Sequence, residues 1–103
     1  MSVHRKLLPV ALMAVAQIAS AQEGEEIFKA KPCVACHAVE TKTMGPGLKQ
    51  IAQKYQYDPA AEGRLAGHIR NGTKGNWGNM PMPPNNVTED EAKILSAWIL
   101  SLK

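Results

Sequence analysis

The chain has 103 residues, a formal charge of +3, two cysteines, and only one Phe, two Tyr and two Trp. That length holds one domain, and so few large side chains leave its interior thinly filled. Both cysteines stand in one tetrapeptide, which excludes the multi-disulfide scaffold that usually stabilises small secreted domains.

Residues 1–21 have the three parts of a secretory leader: basic His4, Arg5 and Lys6, an apolar run from Leu7 to Ile18, and the small-residue end Ala19-Ser20-Ala21. Cleavage after Ala21 is predicted, leaving 22–103 as the domain. The apolar run, about a dozen residues, is short of the roughly 20 that a spanning helix needs, so no stable membrane insertion is expected. Arg5 and Lys6 leave with the leader, and the remaining 10 Lys and Arg face 9 Asp and Glu. Near-balanced charge without a basic run excludes a nucleic-acid partner.

From Glu23 to about Lys31 good helix formers predominate, with Glu23, Glu25 and Glu26 in the first turn, where the helix dipole favours carboxylates. Ile27 and Phe28 give this helix a short apolar face, and Pro32 ends it. Next comes Cys33-Val34-Ala35-Cys36-His37. Two thiols at this spacing followed at once by an imidazole is the attachment pattern of c-type haem. Each thiol adds to one vinyl group of the porphyrin, which puts the next residue, His37, beneath the macrocycle within reach of the iron. A buried apolar cofactor also supplies the interior that the composition lacks.

Residues 38–47 show no clear period and end in the strong turn signal Gly45-Pro46-Gly47. Leu48, Ile51, Ala52 and Tyr55 recur at helical spacing and predict a helix over Leu48 to Tyr55. Asp58-Pro59 reads as an N-cap followed by proline at the first helical position, opening a helix to about Arg70 with Leu65 and Ile69 inward and Asn71-Gly72 ending it. Residues 73–87 are rich in Gly, Pro and Asn and carry Trp77, Met80 and Met82. A stretch of that kind in so short a chain is usually functional or disordered. Thr88 with Glu91 forms a capping box ahead of the last helix. Its stripe of Ala92, Leu95, Trp98, Ile99 and Leu102 is expected to pack on Ile27 and Phe28. No segment alternates with period two and no repeat is present, so the fold class is all-α with long loops.

An iron bound by His37 has a second axial position. Met44, Met80, Met82 and His68 are the candidates. A methionine there raises the potential and closes the iron to substrates, whereas an open position would suit a peroxidase or a gas sensor. Met82 lies in Pro81-Met82-Pro83-Pro84, where the prolines restrict the backbone and present the thioether from a chain with little freedom to lose. That constraint favours Met82 over Met80. Met44, just before the Gly-Pro turn, is expected in the core.

The haem motif, Met44-Gly45-Pro46, Trp77-Gly78, Pro81-Met82-Pro83-Pro84-Asn85 and the capped helix containing Trp98 together resemble the small bacterial cytochromes of the cytochrome c-551 (c8) family, over essentially the whole of 22–103. The resemblance implies a small class I cytochrome c fold of about four short helices wrapped around one covalently bound haem c. It implies His37 and Met82 as axial ligands of the iron, and a monomeric periplasmic electron carrier. Its partners would be other periplasmic redox proteins: a donor such as a membrane cytochrome complex, and an acceptor such as a nitrite reductase, a peroxidase or a terminal oxidase. It further implies that the Pro46 carbonyl accepts from the other N–H of His37, that Trp77 donates to a haem propionate, and that Asn85 approaches the methionine sulfur. A plain aromatic plug at Trp77 and a turn residue at Asn85 are the simpler alternatives. His68 departs from the family, whose well-known members carry arginine there. It either makes the potential depend on pH near neutrality or is a solvated helix residue without coupling.

Two other classes fit less well. A thiol-disulfide oxidoreductase would need a βαβ surround and leaves His37 unexplained. A zinc module lacks a second ligand pair, and adjacent Cys36 and His37 are awkward ligands for one tetrahedral ion.

Overall fold

A computed structural model of the chain describes residues 21–103. The predicted leader, apart from Ala21, lies outside the described residues. Those residues form α1 (residues 21–30), a 3-10 turn over Pro32–Ala35, α2 (Leu48–Lys54), α3 (Ala61–Asn71) and α4 (Glu89–Ser101), with no strand among them. Extended backbone pairs only at an isolated antiparallel bridge between Thr73 and Met82.

The organising element is α4, which packs against both α2 and α3. Its start follows the expected chemistry. The Thr88 hydroxyl accepts from the Glu91 N–H at 3.0 Å, and the Glu91 carboxylate accepts from the Thr88 N–H at 2.9 Å. Those bonds satisfy two donors that a helix terminus otherwise leaves open. Ala92, Leu95, Trp98 and Ile99 are buried as the stripe predicts. Ser96 is buried too, its hydroxyl donating to the Ala92 carbonyl one turn back. The two ends of the domain meet as expected: the rings of Phe28 and Trp98 lie 5.5 Å apart at 46°, a tilted pairing worth about 0.5–1.5 kcal/mol beyond burial. Closer to the start of α1, Gly24 is buried with its backbone against the base of the Trp98 side chain, and a Cβ there would stand 2.7 Å from Trp98 Cγ.

α2 buries Leu48, Ile51 and Ala52, and Tyr55 just beyond it is buried as well. At its start the Gly47 N–H donates to the Gln50 side chain at 2.9 Å. The beginning of α3 differs from the sequence expectation. Asp58 does accept from the Ala60 N–H at 2.9 Å, but as a two-residue Asx turn, and the helix opens only at Ala61. An Asp side chain that bonds its own backbone two residues on competes with helical geometry. Arg64 donates to the other Asp58 oxygen at 2.8 Å. That bond, the Ala60 N–H and the Arg64 charge together hold the Asp58 carboxyl below its ordinary pKa. α3 buries Ala61, Leu65, Ala66 and Ile69 and ends at Gly72, whose φ of +78° suits a residue without a Cβ.

Candidate functional site

Where the helices converge they leave a small apolar cleft. Its walls are Phe28 from α1, Leu48 and Ile51 from α2, Ile69 from α3, and Leu95 and Ile99 from α4. Cys33, His37 and Met82 complete the lining. Every helix thus gives apolar side chains to the cleft, and the connecting segments give it the sulfur and nitrogen donors.

The thiol segment is shaped by the 3-10 turn. Pro32 opens it, and the Cys33 carbonyl accepts from the N–H groups of Cys36 at 3.1 Å and His37 at 2.9 Å. The turn brings Cys33 and His37 to the same cleft while leaving Val34 exposed. Burial pushes the Cys33 thiol above its ordinary pKa, against the weaker pulls of a backbone hydrogen bond and of Lys31. A disulfide-exchange nucleophile needs the opposite shift, which argues against the oxidoreductase reading. Among the described residues no cluster of three or more His, Cys, Asp and Glu is arranged to hold a metal ion.

His37 is fixed from two sides. Its Nδ1 lies 2.8 Å from the Pro46 carbonyl. A carbonyl only accepts, so Nδ1 carries the proton and donates, leaving the Nε2 lone pair of the neutral ring free to ligate. Gly45 closes on the ring itself: a Cβ there would stand 2.7 Å from His37 Cε1 and 3.0 Å from Nδ1. The Gly45 N–H and the Thr43 hydroxyl both donate to the Cys36 carbonyl, each at 2.7 Å, tying the turn to the thiol segment.

Met82 is half-buried against the core, and its N–H and carbonyl exchange hydrogen bonds with Thr73 at 2.9 and 3.0 Å. The other candidates for a sulfur or nitrogen donor do not line the cleft. Met80 is 62% exposed, and Met44, expected in the core, is 59% exposed. The reason is local: the His37 ring occupies the space over Gly45, and Met44 is left on the surface with Sδ 3.7 Å from Cys36 Sγ. His68 sits half-buried on α3, edge-on to Tyr55 with centroids 6.5 Å apart. Burial, then the nearby Arg64 and Lys54 charges, lower its pKa.

Two further residues sit at the margin. Trp77 is 41% exposed and is no buried plug. It rides on a surface loop between Gly75 and Gly78, both at positive φ, with the Lys54 ammonium 4.5 Å from its ring centroid. Asn85 Nδ2 donates to the carbonyls of Ile69 at 3.1 Å and Pro83 at 3.3 Å. The sequence reading passed over Thr73, Lys54 and the contact of Gly45 with His37. Gly45 was legible only as a turn former, and nothing in the pattern marked Thr73 or Lys54.

The arrangement suits a large apolar cofactor tethered at Cys33 and Cys36, with an imidazole nitrogen and a thioether sulfur as donors to a transition metal. Relatives agree with that chemistry. A cytochrome c family model matches residues 21–103. Cytochrome c-551 of Stutzerimonas stutzeri is 59% identical over 87 residues, covering 84% of each chain. Cytochrome c-551 of Ectopseudomonas mendocina is 59% identical over 80 residues, which is 78% of this chain and 98% of the relative. The crystal structure of wild-type Nitrosomonas europaea cytochrome c552 matches with a TM-score of 0.75 at 51% identity, covering 77% of this chain and 99% of that one. The chain belongs to the cytochrome c family, as a small class I c-type cytochrome that carries one covalently bound haem c and its iron.

Proposed function

We propose that the protein is a periplasmic one-electron carrier, exported by removal of residues 1–21, with haem c bonded to Cys33 and Cys36 and its iron held by His37 and Met82. The observation that carries this reading is that His37 and Met82, from segments far apart in sequence, line one apolar cleft beside Cys33. When bound, the haem iron supplies a site that gains and loses one electron.

The chain's own residues do the rest. Pro46 holds the Nδ1 proton of His37 and so keeps Nε2 directed to ligation. Thr73, paired to the Met82 backbone, and the flanking prolines hold the thioether with little freedom, so little needs to rearrange when the charge changes. Phe28, Leu48, Ile51, Ile69, Leu95 and Ile99 exclude water and set a low-polarity surround for the cofactor. With Met82 on the iron no open position would remain for a substrate, so on this reading the protein carries electrons and is not an enzyme. Val34 and Met44, exposed next to the two attachment cysteines, provide apolar surface for brief docking with periplasmic redox proteins. Such encounters use interfaces under about 1,200 Å².

The test is the visible and near-infrared spectrum of the exported protein, oxidised and reduced, beside Met82→Ala. Low-spin bands with the weak near-infrared feature of an iron–methionine bond, lost in the variant, are expected. A variant spectrum identical to the native one removes Met82 from the iron and favours an open, reactive haem.

A further inference from the structure

We propose that Lys54 is a positioning residue for Met82: from α2 it clamps the loop whose backbone holds the methionine, and so sets how often the thioether leaves the iron. The inference rests on the reading of Met82 as ligand.

The segment before Met82 is soft by composition. Gly75 and Gly78 both adopt positive φ, and Asn79 and Met80 are exposed. Beyond Met82 the chain is anchored, because the Ile69 carbonyl accepts from both the backbone N–H and Nδ2 of Asn85. Before Met82 the restraint is Thr73, which exchanges two backbone hydrogen bonds with it. Thr73 is in turn held by Asn76, whose Nδ2 donates to the Thr73 hydroxyl at 2.5 Å. Asn76 is where Lys54 acts: Nζ donates to the Asn76 carbonyl at 2.6 Å and sits over the faces of Trp77 at 4.5 Å and Tyr55 at 5.7 Å. Among the described residues this is the only hydrogen bond joining α2 to residues 73–82.

The ammonium therefore makes a charge-assisted bond and two cation–π contacts at one point, linking the helix under the cleft to the turn that pairs with Met82. The neighbouring cations Arg64 and Lys49 are engaged elsewhere, with Asp58 and Glu40. An exposed lysine with one surface acid partner would be energetically near neutral, but Lys54 has a backbone carbonyl and an aromatic face, whose positions do not change with salt.

The experiment is binding of added imidazole to the ferric holoprotein, followed by the change in the Soret band. Imidazole enters only when the methionine is off, so its apparent affinity scales with the fraction of open iron. Lys54→Ala is expected to bind imidazole roughly tenfold more tightly, the effect of losing one hydrogen bond to a charged group. Lys54→Arg, which keeps a cation able to reach a carbonyl and stack on an indole, is expected to restore most of the native value. A Lys54→Ala protein whose melting temperature falls while its imidazole affinity stays native overturns the proposal, because Lys54 is then merely stabilising. So does Lys54→Ala tightening imidazole equally in a Met82→Ala background, where no thioether remains to be positioned. Met82→Ala alone separates the two readings. If it leaves imidazole affinity unchanged, the ligand assignment fails and this inference with it; if it raises the affinity while Lys54→Ala does not, only the inference falls.

Discussion

Replacing Gly45 with alanine tests whether His37 is held as a ligand by its neighbours. The backbone at Gly45 is not among the positive-φ positions, so it accepts a side chain, and the effect lies in the contact. The new methyl would stand 2.7 Å from His37 Cε1, 3.0 Å from Nδ1 and 3.2 Å from Nε2, against an ordinary carbon separation of about 3.5–4.0 Å. The ring must retreat by about 1 Å to relieve this overlap. Because Pro46 directly follows Gly45, that retreat stretches the 2.8 Å bond to its carbonyl beyond the hydrogen-bonding limit of about 3.2 Å. Losing such a partner weakens a ligating imidazole by roughly 10- to 100-fold. In acid, protons compete with the iron for Nε2, so the pH at which the low-spin ferric spectrum collapses should rise by about one to two units, one for each factor of ten. The assay is an acid titration of both ferric holoproteins. An unchanged midpoint with a native spectrum would refute the argument that Gly45 and Pro46 together hold the ring.

Gly24→Ala should drive α1 off α4, since its methyl would overlap the Trp98 Cβ and approach Cγ to 2.7 Å; overpacking of about 1–3 kcal/mol should lower the melting temperature by roughly 5–20 °C, and a native value would mean the helices separate freely. Gly63 and Gly67 have open space where a Cβ would stand, so alanine at either should stabilise α3 by about 0.5–1 kcal/mol, read as a higher midpoint in guanidinium; a drop would show that the positions are crowded in the holoprotein. His68 gives a pH prediction whose sign follows from its lowered pKa. The unfolded chain takes up a proton at higher pH than the folded one, so this stabilisation is complete above about pH 6.5 and is lost as the pH falls through the folded value. His68→Gln should flatten that part of the stability profile, and equal slopes in the two proteins would refute the assignment. Potentials measured on the same pair show whether His68 also couples to the haem, which requires the pH dependence near neutrality to disappear with the imidazole.

What the sequence revealed were features whose cause is local. Cys33, Cys36 and His37 are read from spacing alone, because attachment chemistry demands neighbours in the chain. α4 was legible because Thr88 and Glu91 mark its start at the point where the apolar stripe begins, two independent signals agreeing within one turn. Met82 stood out from Met80 because proline restricts its own neighbours, and Met80 is on the surface. What stayed hidden depends on side-chain contacts that the sequence pattern does not mark. Met44 carries no local mark of exposure; it is exposed because the ring of His37 takes the place above Gly45. Asp58-Pro59 looks the same as a helix N-cap or an Asx turn, and the choice is made by a hydrogen bond to Ala60 and an ion pair with Arg64. Lys54 reads as a solvated helix residue until the loop at Asn76 and Trp77 folds over it.

The cleft also explains why so small a chain can hold together. The helices are short: α2 has seven residues and α3 eleven, lengths at which isolated helices do not persist in water. Their apolar faces are short, and part of each is spent on the cleft: Phe28 on α1, Leu48 and Ile51 on α2. α3 and α4 contribute Ile69, Leu95 and Ile99 to the same space. A haem seated in the cleft would therefore be a shared packing partner of all four helices. Because a group bonded to Cys33 and Cys36 would stay attached to the unfolded chain too, it would stabilise the fold only by the contacts it gains on folding. Folding and electron carriage then draw on one set of contacts, so the side chains that exclude water from the iron are the ones whose loss would unfold the protein.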